Sequence, residues 1–130
     1  MARKGAFELD KFFAALADRT RLRLLNLMRD GEVCVCFFAE TLGTNNPKIS
    51  RHLAYLKRTG LVSARRDGKW MHYSLNPPAD ERASEILTSL LKGFDNDPEM
   101  VEDRAALVNV CCSPNNRLVA IGGRGAVQQK

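Results

Sequence analysis

Residues 46–75, NPKISRHLAYLKRTGLVSARRDGKWMHYSL, constrain the fold more than any other stretch of the chain. Asn46 and Pro47 form an N-cap and first-position pair, which predicts a helix from there to about Thr59. Ile49, Leu53 and Leu56 give that helix one apolar face. Lys48, Ser50, Arg51, His52 and Tyr55 fall elsewhere on it, mostly outward. Gly60 ends it. The segments LVSARR and WMHYSL then read as short strands, and the Asp-Gly pair between them is a strong hairpin signal. Pro77 and Pro78 close the hairpin.

Upstream, Leu9, Phe12, Phe13 and Leu16 sit at helical spacing in residues 7–17. Asp18 offers an N-cap for a second helix, on which Leu22, Leu25 and Met28 share a face and which Gly31 stops. A third, short helix runs from about Cys34 to Leu42, and Gly43 ends it. Downstream, a fifth helix spans about 79–93 with Ile86, Leu87, Leu90 and Leu91 apolar. The segment DNDP interrupts it, and a last helix covers about 98–110. The expected fold is mainly α with a small β-hairpin, a winged helix-turn-helix. Residues 1–95 make the DNA-binding and dimerisation domain, 96–112 a C-terminal helix with a cysteine pair, and 113–130 a flexible tail rich in Gly, Asn and Gln.

A helix that enters the major groove needs polar side chains at its outward N-terminal end and an apolar back. Residues 47–58 have both. Asn46, Ser50, Arg51, His52 and Tyr55 are candidates for base or backbone contact, and Lys48, Arg51, Lys57 and Arg58 for phosphates. Arg65, Arg66 and Lys69 surround the hairpin tip, where a wing would lie along the DNA backbone. Between positions 48 and 69 stand seven Lys and Arg residues against one acidic residue, Asp67, in a chain of net charge +5. The expected partner is double-stranded operator DNA.

Other classes find little support. No apolar run approaches the roughly 18 residues of a membrane span, and the N-terminus lacks the apolar core and cleavage site of a signal peptide. The chain therefore reads as cytoplasmic, where Cys34, Cys36, Cys111 and Cys112 serve as free thiols or ligands rather than disulfides. An enzyme is not expected: there is no Cys-His-Asp grouping, no phosphate-cradling glycine loop and no catalytic carboxylate pair. A metal store would need neither the helix nor the wing.

The stretch NNPKISRHLAYLKRTGLVSARRDGKWMHYSL closely resembles the recognition helix and wing of the ArsR/SmtB metalloregulatory repressors. LADRTRLRLLNLM resembles their second helix. EVCVCFFAETL resembles the metalloid-site segment of the arsenic-responsive members, which carry Cys-Val-Cys there. The resemblance covers about residues 7–92. It implies a homodimer that holds operator DNA when metal-free and lets go when metal binds. It places dimer contacts on the first and last helices, here around Phe12, Phe13, Leu16, Leu87, Leu90 and Leu91. The best-known arsenic-responsive members have a third cysteine three residues after the second, where this chain has Ala39.

The inducer implied by the resemblance is As(III), with Zn or Cd as the alternative. Soft thiolates select such ions. Side chains at i and i+2 of a helix point about 200° apart, so Cys34 and Cys36 converge only if Cys34 precedes the helix or its first turn distorts. Cys111 and Cys112 are candidates for the missing ligand. Three arrangements remain open: Cys34 and Cys36 with one C-terminal thiol, in cis or across a dimer; Cys111 and Cys112 with one N-terminal thiol; or all four around a tetrahedral ion. A redox switch built from the same thiols is a further alternative. Each cysteine can also be a small buried hydrophobe. His72 and Tyr73 read as strand packing.

Overall fold

The computed structural model describes residues 7–112, with the backbone alone for Cys111 and Cys112. The element order is α1 (Leu9–Leu16), α2 (Arg19–Leu27), β1 (Val33–Cys34), α3 (Val35–Leu42), α4 (Asn46–Arg58), β2 (Val62–Asp67), β3 (Trp70–Leu75), α5 (Glu81–Gly93), a 3-10 turn (Phe94–Asn96) and α6 (Pro98–Cys112). The winged helix-turn-helix is present. The expected tail, 113–130, lies outside the described residues.

The core is built from the faces the sequence pattern marks. Ile49, Leu53 and Leu56 of α4 are fully buried in one core with Leu24 and Leu25 of α2, its C-cap Met28, and Phe37 and Phe38 of α3. Burying each such side chain stabilises the fold by about 1.5–3 kcal/mol. Phe12 and Leu87, expected on a dimer surface, belong to this same core at 1% and 5% exposure. Phe13 is exposed, and Leu16, Leu90 and Leu91 are half-buried.

Three local details correct the sequence reading. Asn45, not Asn46, caps α4: its side chain accepts from the Lys48 backbone N–H at 3.0 Å. Asn46 and Pro47 then occupy the first two helical positions, where proline's missing N–H costs nothing. The hairpin turn falls on Gly68 and Lys69, because Asp67 pairs with Trp70; Gly68 takes the left-handed φ of 66° that a tight turn demands. Cys34 does not begin α3. It is extended, at φ −72° and ψ 140°, and its strand adds a third member to the wing sheet, in the order β1-β3-β2.

Helix α6 docks on α2 through charged pairs. Arg19 bonds Asp97 and Glu99, Arg23 bonds Asp103, Asn26 donates to the Met100 carbonyl at 3.0 Å, and Arg104 bonds Asp30. These contacts run from the first residue of α2 to Asp30 just beyond its end, so α6 and its N-cap are fastened along the whole length of α2. Helix α6 also packs on α3, and its Leu107 and Val110 lie against the core.

Candidate nucleic-acid interface and thiol site

The amphipathic pattern of α4 leaves Asn46, Lys48, Ser50 and Arg51 exposed at its N-terminal half, where a groove-reading helix presents its side chains. His52 and Tyr55 are placed differently. Both are half-buried and turn toward Arg21 of α2. The Arg21 guanidinium lies 4.0 Å from the Tyr55 ring centroid, and its Nη1 is 3.4 Å from His52 Nδ1. Its Nε and Nη2 donate to the carbonyls of Ala15 and Ala14 at 2.8 and 3.1 Å. One side chain thus closes the end of α1 and braces the back of α4. Nothing in the sequence marks Arg21 for this, since two of its acceptors are backbone carbonyls and its α4 partners lie more than thirty residues away.

In the wing, Arg66 and Lys69 are exposed at the turn. Lys69 sits 5.8 Å from the Trp70 ring centroid, and Arg66 donates to the Gly68 carbonyl at 3.3 Å. Arg65 is engaged: its Nε and Nη2 each donate to a Glu32 carboxylate oxygen at 2.8 Å. That bond holds the Glu32 carboxyl below its ordinary range. Glu32 is a second residue that sequence reasoning passed over.

The thiols meet at the junction of β1 and α3. Because Cys34 is extended and Cys36 is in the first turn, their Sγ atoms approach to 3.5 Å. Cys34 is buried and Cys36 half-buried. The hydrogen bond from Cys36 pulls the Cys34 thiol down to about 7, and the same bond pushes Cys36 up. The thiolate is the nucleophilic form of a cysteine and the form that ligates metals in general. Metal–sulfur bonds of about 2.3 Å place two thiolates on one tetrahedral ion about 3.8 Å apart, close to the spacing found. Among the described residues no three His, Cys, Asp or Glu side chains converge well enough to hold an ion together. Opposite Cys34 in the β1–β3 ladder stands His72, fully buried, with no partner for either ring nitrogen among the described residues. Burial pushes its pKa below 6.5.

Residues 18–64 match the family model described as bacterial regulatory protein, arsR family. The chain is 37% identical over 108 residues to the arsenic resistance transcriptional regulator ArsR2 of Pseudomonas putida, covering 77% of this chain and 94% of that one. The chain belongs to the ArsR family. It is thus a transcriptional repressor of the ArsR/SmtB type and not an enzyme. Another ArsR-family relative, the arsenical resistance operon repressor of Escherichia coli, is 45% identical over 78 residues, 59% of this chain and 67% of the relative. The homodimeric winged helix-turn-helix DNA-binding domain Mb0332 of Mycobacterium bovis is similar in structure, with a TM-score of 0.58 and 32% identity, over 76% of this chain and 91% of that domain. No described helix is long and apolar enough to cross a membrane.

Proposed function

We propose that this ArsR-family repressor binds operator DNA as a homodimer through α4 and the wing, and releases it on capturing trivalent arsenic. Cys34 and Cys36 supply two thiolates, and a C-terminal cysteine of α6 supplies the third. The observation that carries the reading is the 3.5 Å approach of two thiols, one of them acidified, at the point where the wing sheet meets α3. Arg104 is paired with Asp30, and Cys111 lies seven residues further along α6, about 10 Å of helix. Helix α6 packs on α3, the helix that begins at the thiol pair, so a ligand set closed within one chain is the arrangement to test first. As(III) is a soft centre matched to thiolates. The third thiolate has to be brought to the pair at the start of α3, and α3 packs directly on α4.

The test uses reduced full-length protein and a duplex selected from a random pool on the immobilised repressor, followed by fluorescence anisotropy. Arsenite is expected to release the wild type and to leave Cys36→Ser bound to DNA. Normal release of Cys36→Ser would remove the N-terminal thiols from the site.

A further inference from the structure

The wing and the thiol segment are fastened to each other at two points. The first is the ladder in which Cys34 pairs with His72, while His72 pairs on its other side with Arg65. Side chains alternate along a strand, so Cys34, His72 and Arg65 share one face of the sheet. Glu32, two residues before Cys34, falls on that face as well. The second point is the Glu32–Arg65 pair, in which the guanidinium reaches across β3 and meets both carboxylate oxygens. A two-pronged pair of this kind fixes direction as well as distance.

Arg65 thus has a protein carboxylate where a wing arginine would otherwise be free to take a DNA phosphate. We infer that Glu32 is a positioning residue for the wing, and that its pair with Arg65 carries displacement of the thiol segment to the DNA-contacting hairpin. The inference rests on the reading of Cys34 as an inducer ligand. Glu32 and Cys34 are joined by about 7 Å of extended backbone with one residue between them, so drawing Cys34 toward an inducer moves the carboxylate. Arg65 follows it or loses it. Either way the wing no longer presents the surface that fits DNA. Ladder and ion pair act on the same strand pair, which makes the hairpin a second route of communication beside α3–α4 packing.

A purely electrostatic role for Glu32 would differ. Its negative charge would weaken DNA binding equally with and without inducer. A coupling role changes the ratio of the two affinities. Two variants separate these: Glu32→Gln removes the charge at constant shape, and Glu32→Asp keeps the charge but shortens its reach. Operator dissociation constants are measured for the full-length reduced chain, with and without saturating arsenite. Arsenite binding to the DNA-free protein is followed by sulfur-to-arsenic absorption in the ultraviolet. Both variants are expected to bind arsenite as the wild type does, while the ratio of dissociation constants falls at least about fivefold. Arg65→Gln is expected to lower the ratio as much, with no further fall in the double variant. A wild-type ratio in Glu32→Gln and Glu32→Asp overturns the inference alone. A wild-type protein that arsenite does not dislodge overturns the inducer reading and the inference with it.

Discussion

Asp103 of α6 is buried at 5% exposure and accepts two hydrogen bonds from Arg23 of α2, from Nε at 2.7 Å and Nη2 at 3.0 Å. This fork links elements 80 residues apart and holds α6 beside the helix that leads into the thiol segment. Removing one partner strands the other charge. Asp103→Ala is expected to lower stability by about 2–3 kcal/mol, Glu99 remaining as a weaker partner for Arg23. Urea unfolding measures the loss. Arsenite affinity should fall with it, because α6 carries the proposed third ligand; unchanged affinity would place that ligand elsewhere.

Arg51 stands exposed on the N-terminal half of α4 with no partner among the described residues. If it forms a bidentate base contact, Arg51→Ala weakens operator binding by about 1–3 kcal/mol and relaxes the preference at one base pair. Competition with single-base operator variants reads the second effect. Lys69→Ala should act differently. If it neutralises one phosphate, its loss flattens the salt dependence by about 0.9 in log–log slope without changing sequence preference. An identical slope would take the lysine off the DNA.

Arg21→Lys is expected to lower operator affinity although Arg21 points away from the reading surface. The planar fork that spans Ala14, Ala15, His52 and Tyr55 cannot be copied by an ammonium group. The melting temperature should drop by several degrees, roughly 4–8 °C per kcal/mol lost in a domain of this size.

His72 is buried with its pKa pushed below the ordinary 6.5 by desolvation. As pH falls through about 6.5 the unfolded chain takes up the proton first, while the folded imidazole stays neutral. Stability is therefore lost on the acid side, from about 6.5 down to the lower folded value, and is fully kept above about 6.5. His72→Leu should flatten that part of the profile. Chemical denaturation between pH 7.5 and 5 tests it, and a parallel slope in both proteins would assign the acid sensitivity to other groups.

The helices and hairpin were legible because each carries its own periodicity, caps and stops within a short window. Ile49, Leu53 and Leu56 announce the buried face of α4, and the Asp-Gly pair announces the wing to within one residue. Adjacent asparagines blurred the start of α4, since either can cap, and only the fold selects Asn45. The sequence could state the condition for convergence of Cys34 and Cys36, an extended Cys34, but not that β3 would supply the pairing that meets it. Arg21, Glu32 and Asp103 were invisible for one reason. Their side-chain partners are distant in sequence, and charge alone does not say whether an arginine faces DNA, a carboxylate or an aromatic ring.

Retained metal per monomer probes the thiol site most directly. Reduced full-length protein is incubated with equal arsenite and zinc, desalted, and read by elemental mass spectrometry. Three-thiolate sensing predicts about one arsenic per monomer with little zinc, lost in Cys36→Ser and in the Cys111→Ser, Cys112→Ser double variant. Zinc in place of arsenic, or neither ion retained, would contradict it.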